Sequence, residues 1–214
     1  MQQSDIQIFP LFSKVVYVKQ TNINCENILK TINEKTSVSG IPNQITKKNL
    51  TLVSNNKKVL DQNKYKNLKK EVMKEFYHYA HDVLNYKNNK FKMTTSWFTK
   101  SDAGQQSNYH NHSNCMFSGV LYLKADENSG GIDFLNFENN RFLLKAKDYN
   151  IFNGRNYTLD AKQGRILFFP SEMYHKILKN KSQEDRYSLA FNFMPIGNIG
   201  NLKDDSHLKN LNIK

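Results

Sequence analysis

Near residue 90 the hydrophobic period of this chain changes from helical to extended, and that change limits the fold more than any other feature. Before it, Tyr65, Leu68, Val72, Phe76, Tyr79 and Val83 recur at three- and four-residue steps. That spacing predicts one long amphipathic helix from about Gln62 to Asn85, its stripe buried as core packing. A shorter helix is expected after Asn24, a good N-cap, because Ile28, Leu29 and Ile32 share a face. Val15 to Val18 reads as a strand. After residue 90, Lys92–Thr99, Phe117–Lys124, Gly131–Phe137, Arg165–Phe169 and Tyr187–Phe193 are rich in β-branched and aromatic residues. Asn128-Ser129-Gly130-Gly131 and Asn153-Gly154 supply turns between them. Many short strands without intervening helices indicate an antiparallel sandwich or jelly roll. The expected class is mainly β with N-terminal helices.

With 214 residues the chain is most economically one domain. Its expected parts are a helical support region (1–90), a β core (91–195) and a tail (196–214). A hydrophobic content of 38% favours a folded globule over disorder. No apolar run is long enough to span a membrane, and MQQSDIQIFPLF lacks the basic-then-apolar pattern of a secretory signal. Cys25 and Cys115 are the only cysteines and form no CxxC pair, so reduced thiols in a cytoplasm are expected. The net charge of +12 raises the question of nucleic acid. The lysines, however, are scattered among asparagines, as in Lys87-Asn88-Asn89-Lys90 and Lys179-Asn180-Lys181, which reads as a solvated surface and the imprint of an AT-rich genome.

The chemistry concentrates in His110-Asn111-His112, His175 and Arg186-Tyr187-Ser188. Imidazoles at i and i+2 of an extended segment point to one side, and a distant third histidine can complete a metal site. Imidazole suits Fe, Zn, Cu and Ni alike, so the metal stays open at this point. The usual non-haem Fe(II) triad is two histidines and a carboxylate, and His112 stands where that carboxylate is expected. Three neutral ligands leave the ion more positive and favour an anionic bidentate co-substrate. Asp133 is the alternative carboxylate. Arg186, Ser188, Ala190 and Asn192 alternate onto one strand face, and a buried guanidinium is costly unless paired with an anion such as a carboxylate. Together these residues point to a mononuclear metal oxygenase. His78, His81 and His207 read as surface or capping residues. Trp97, Tyr109 and Tyr174 could stack a base but read as packing residues.

These motifs, in this order, resemble the Fe(II)/2-oxoglutarate-dependent dioxygenases, and more narrowly the small oxygenases common in marine bacteria and their phages. The resemblance runs over nearly the whole chain. It begins at Ile8-Phe9-Pro10-Leu11 and Val59-Leu60-Asp61 and continues through Ser96-Trp97-Phe98 and His110-Asn111-His112. Ser118-Gly119-Val120-Leu121-Tyr122-Leu123, Phe169-Pro170-Ser171 with His175, and Arg186-Tyr187-Ser188 through Phe191-Asn192 complete it. It implies a double-stranded β-helix of the cupin-like jelly-roll type, with Fe(II) held by His110, His112 and His175. It further implies 2-oxoglutarate as co-substrate, its distal carboxylate on Arg186 with help from Ser188, and O2 as oxidant. Oxidative decarboxylation to succinate and CO2 would be coupled to hydroxylation of an unidentified substrate. Asn192, Tyr122 and Trp97 are the candidate pocket residues. Leu121 stands where related strands often carry a tyrosine that reaches the co-substrate. The expected location is the cytoplasm of a bacterium, or of the host cell for a phage protein, with a homodimer allowed for.

Two other classes fit part of the pattern. One is a cupin-type metal enzyme with an all-histidine site and no use for 2-oxoglutarate, against which Arg186-Tyr187-Ser188 argues. The other is a non-catalytic jelly-roll binding or structural protein with incidental histidines. A nucleic-acid substrate is a third option, with the lysines supplying affinity and the aromatic residues near the site stacking a base.

Overall fold

A computed structural model describes residues 7–32, 51–136, 144–201 and 203–213. The strands are β1 (Tyr17–Gln20), β2 (Leu52–Val53), β3 (Lys90–Ser101), β4 (Phe117–Lys124) and β5 (Gly131–Leu135). They continue with β6 (Asn156–Asp160), β7 (Arg165–Pro170), β8 (His175–Ile177), β9 (Arg186–Ile199) and β10 (Leu208–Leu211). Two α-helices, α1 (Cys25–Leu29) and α2 (Lys66–Tyr77), lie on the N-terminal side of β3. The major sheet has the order β1-β7-β4-β9-β3-β2, with β10 paired to β9, and a three-stranded sheet has the order β6-β5-β8. All named pairings are antiparallel. This is the expected two-sheet jelly roll with helices packed outside it. Among the described residues, no helix is long and apolar enough to cross a membrane.

Strand alternation divides the interior into two cores. On β4, Phe117, Leu121 and Leu123 face the helices, where they pack with Val72, Phe76 and Tyr79 of the helical stripe. Val120 and Tyr122 face the other way, between the sheets, with Ile132, Phe134, Leu167 and Phe169. On β9 the same division sends Leu189, Phe191 and Phe193 to the helical side. A register shift between Met93 and Thr95 changes the phase of β3. As a result Phe91, Met93 and Phe98 all reach the helical core although their numbering is not in step.

The helical stripe forms as expected through Tyr79, but α2 does not continue to Asn85. A π-helical segment, His78–Val83, follows it, and the wider winding turns Val83 outward to 46% exposure. Asn24 caps α1 as expected, its side-chain oxygen accepting the Asn27 N–H at 3.1 Å. The first strand lies two residues later than expected, at Tyr17–Gln20. β9 runs on to Ile199, past the expected end at Phe193. Phe137, the expected end of the strand that begins at Gly131, lies outside the described residues.

Gly119 sits where β7 and β9 press close on β4. A Cβ there would lie 2.4 Å from a Phe191 ring carbon and 2.6 Å from the Leu167 carbonyl oxygen. Gly119→Ala is therefore expected to destabilise the protein by roughly 1–3 kcal/mol through overpacking. Thermal unfolding followed by circular dichroism should show a lower Tm than wild type, and an unchanged Tm would contradict this packing.

Candidate metal centre

Backbone pairing brings the three histidines together. His110 forms a bridge with His175: the His110 N–H donates to the His175 carbonyl at 2.9 Å, and the reverse bond is 2.8 Å. The His112 N–H donates to the Ser171 carbonyl at 3.0 Å, so the loop before β4 is stitched to the turn between β7 and β8. One ligand atom from each of His110, His112 and His175 lies within 4.8 Å of the others. The ring centroids are 4.5 to 5.3 Å apart. His175 is 3% exposed, wedged edge-on against Phe169 at 4.9 Å and beside Phe134 at 6.0 Å.

Each Nδ1 already faces an oxygen acceptor. For His110 it is the Asn108 carbonyl at 2.9 Å, for His175 the Met173 carbonyl at 2.9 Å, and for His112 the Asn192 Oδ1 at 2.8 Å. Nδ1 must carry the proton to make these bonds, which leaves each Nε2 lone pair for a metal. Burial pushes His175 down to about 3 and also lowers His112, where the charge of His110 adds to the effect. Neutral imidazole is the ligating form, so both are ready at ordinary pH. Three imidazoles, with no other metal-ligating side chain grouped with them among the described residues, suit a divalent first-row ion such as Fe(II) with coordination positions left open.

Asp133 is not part of this group. Its carboxylate accepts from Tyr109 Oη, from Thr158 Oγ1 at 2.7 Å and from Asn156 Nδ2 at 2.9 Å. Burial raises its pKa, but those three hydrogen bonds outweigh burial and hold it below the usual carboxylate range. Tyr109 is thus tied to the small sheet, which anchors the loop carrying His110. Neither Tyr109 nor Asp133 had a motif to mark this role; the clasp joins a loop to β5 and is visible only in three dimensions. His78 pairs with Asp82 and His81 meets the Asn89 carbonyl, both away from the cluster.

Arg186, Ser188, Ala190 and Asn192 share the face of β9 turned toward the small sheet, as their alternation implied. Arg186 is 2% exposed and donates to the Ser129 and Leu178 carbonyls and to Ser101 Oγ. Gly130, at φ +70°, makes the tight turn that presents the Ser129 carbonyl. Among the described residues no acid pairs with this guanidinium, and burial without a counter-ion lowers its pKa. Tyr122, directly opposite Ser188 in register, interacts electrostatically with Arg186. Its hydroxyl is fully buried and has no hydrogen-bond partner among the described residues. Burial pushes that phenol up to about 12, so it stays an O–H donor. An orphaned donor beside an unpaired buried cation is a site shaped for a carboxylate. Leu121, at the position expected to matter as a departure, points into the helical core instead. The inward tyrosine is Tyr122, a one-residue shift that reverses the face. Ser188 is engaged with Thr99 Oγ1. Trp97 stands 5.7 Å from His112 by ring centroids.

The depressed His175 pKa has a consequence for the metal-free protein. Between about 3 and the ordinary 6.5 the unfolded chain binds a proton that the folded chain excludes. Stability should therefore be full above pH 6.5 and fall as pH drops toward 3. Denaturant melts of metal-free protein at several pH values should show this slope, and His175→Gln should flatten it. An identical slope in both proteins would assign the acid sensitivity elsewhere.

Comparison with known proteins agrees with this geometry. The family described as "Putative 2OG-Fe(II) oxygenase" matches residues 95–192. Among curated proteins, none matches the sequence. Of the solved structures, the viral collagen prolyl hydroxylase of Paramecium Bursaria Chlorella virus-1, determined as a 2OG complex, aligns with TM-score 0.54. It is 14% identical over 83% of this chain and 94% of its own. A prolyl hydroxylase from Trichoplax adhaerens, bound to a hypoxia inducible factor peptide, aligns with TM-score 0.56 at 14% identity over 84% and 83% of the two chains. A Pseudomonas putida prolyl-4-hydroxylase gives 0.52 at 14% identity over 84% and 92%. At such identity the structures speak for the fold, the double-stranded β-helix. The matched segment contains all three histidines and the Arg186 strand face, and over it the chain is similar to the 2OG-Fe(II) oxygenase family.

Proposed function

We propose that this protein is an Fe(II)- and 2-oxoglutarate-dependent oxygenase that hydroxylates a second substrate with release of succinate and CO2. The family implies both Fe(II) and 2-oxoglutarate. The observation that carries the reading is the buried Arg186, without an acid among the described residues, next to the orphaned hydroxyl of Tyr122 in the same inter-sheet core as Phe134 and Phe169, which flank His175. A cupin-type centre that does not use 2-oxoglutarate has no need of that buried cation.

His110, His112 and His175 would hold Fe(II), which when bound supplies the site for the 2-oxo acid and for O2 activation. Arg186 takes the distal carboxylate of 2-oxoglutarate as a charge-assisted pair, and Tyr122 donates its O–H to the same group. Ser188, with Thr99, lines the path between that anchor and the histidines. Because Arg186 is already held by two backbone carbonyls and Ser101, the anion meets a guanidinium that needs no reorganisation. The apolar layer of Val120, Leu167 and Phe169 excludes water from this end. Trp97, half-buried beside His112, contacts the second substrate on the open side.

Fe(II)-loaded protein supplied with 2-oxoglutarate and O2 should release succinate, which NMR detects directly. Absence of both succinate release and calorimetric binding of 2-oxoglutarate in the presence of Mn(II) would refute the reading. Arg186→Met should weaken 2-oxoglutarate binding by about 10- to 100-fold, the worth of one charge-assisted hydrogen bond. Tyr122→Phe should weaken it less, while leaving the ligand-free protein as stable as wild type or up to about 1–3 kcal/mol more stable, because a buried unsatisfied hydroxyl is removed. A clear loss of ligand-free stability in Tyr122→Phe would mean that the hydroxyl has a structural partner.

A further inference from the structure

The histidine in the position of the acidic ligand needs something that His110 and His175 obtain from the backbone. Their Nδ1 atoms are held by main-chain carbonyls two residues away. His112 has no such local acceptor. Its Nδ1 faces two side chains, Asn192 Oδ1 at 2.8 Å and Ser118 Oγ at 3.0 Å. Ser118 in turn lies 2.8 Å from both Asn192 Oδ1 and Ser171 Oγ. On its far side, Asn192 Nδ2 donates to Thr95 Oγ1 at 3.0 Å.

We propose that Asn192 is a positioning residue that selects the His112 tautomer, its amide oxygen holding Nδ1–H so that Nε2 is presented to the metal. The proposal rests on the metal reading above. An amide is two-faced: with the oxygen toward His112 it holds Nδ1–H, and with the nitrogen toward His112 it would demand a bare Nδ1 and place the proton on Nε2. Thr95 decides between the two by accepting from Nδ2, and Ser118 adds a hydroxyl donor to the same Oδ1. The three strands involved are neighbours in one sheet: Asn192 pairs with Thr95 of β3 and with Ser118 of β4. The device is therefore built across the sheet in a single row. A carbonyl-type oxygen behind an imidazole orients the ring and raises its basicity, as oxygen acceptors behind metal-bound histidines generally do. Asn192 performs here, for a side-chain ligand on a loop, what the Asn108 and Met173 carbonyls perform for the other two.

The test pairs a metal-free readout with a metal titration. In metal-free protein labelled with 15N-histidine, the ring nitrogens of His112 should report an Nδ1–H tautomer in wild type and in Asn192→Asp, which can only accept. Asn192→Leu, which cannot accept, should show a mixed or Nε2–H tautomer. Co(II) binding, followed by its ligand-field spectrum, should weaken about 10- to 100-fold in Asn192→Leu and be kept in Asn192→Asp. Thr95→Val, which releases the amide without touching His112, should move both readouts in the direction of Asn192→Leu. If Asn192→Leu keeps the wild-type tautomer and Co(II) affinity while His112→Ala loses binding, the proposal is overturned and the metal centre stands. If wild type holds the Nδ1–H tautomer yet takes up no Co(II), the metal reading falls and the proposal with it.

Discussion

The reciprocal backbone pairing of His110 with His175 is the contact on which the site depends. It joins the loop between β3 and β4 of the major sheet to the first residue of β8 in the small sheet. Two main-chain hydrogen bonds fix the spacing of the two Cα atoms, and the pleat then turns both imidazoles the same way. His112 follows by the two-residue period, and its own N–H reaches the Ser171 carbonyl. The ligand face is thus set by backbone geometry, with side-chain acceptors refining the rings. Loosening the bridge would scatter all three ligands at once.

The second constraint is an unpaired charge. Burying Arg186 among carbonyls and one hydroxyl, with no acid paired to it among the described residues, is unfavourable for the empty protein. The neighbouring Tyr122 hydroxyl is a second unfavourable group on the same wall. Structural residues would have been selected to avoid both. Their persistence side by side is explained if a ligand carboxylate satisfies both, so that the instability of the free protein becomes affinity for the co-substrate. The polar row of Thr95, Asn192 and Ser118 is the contrasting case: fully bonded within the protein, it orders His112 rather than awaiting a ligand.

Much of this was legible in the residue order. The change of period at residue 90 foretold helices outside and antiparallel strands inside. The alternation Arg186, Ser188, Ala190, Asn192 correctly placed four residues on one face, because strand side chains alternate irrespective of what packs on them. Local rules failed where the backbone departs from the regular period. The π-helical turn at His78–Val83 rotated Val83 out of the stripe, and the β3 register shift put Met93 and Phe98 on one side. Residue order alone singles out Leu121 and leaves Tyr122 a general pocket candidate, whereas the face of β4 is decided by which core Phe117 enters. That is a tertiary matter.

The chain alone determined which residues could do chemistry: two histidines two apart, a third after an apolar strand, and an arginine on a strand too apolar to solvate it. It also carried the resemblance to the 2OG-Fe(II) oxygenases and put a histidine at position 112, where an acid is usual. Only the tertiary structure decided which of the acids, tyrosines and amides act with them. Asp133 went to Tyr109, Tyr122 went to the Arg186 pocket, and Asn192 went to His112. The reason is physical: strand period assigns a side chain to a face. Which partner it meets there depends on the register between strands far apart in sequence, and that register is fixed only when the two sheets close on a common core.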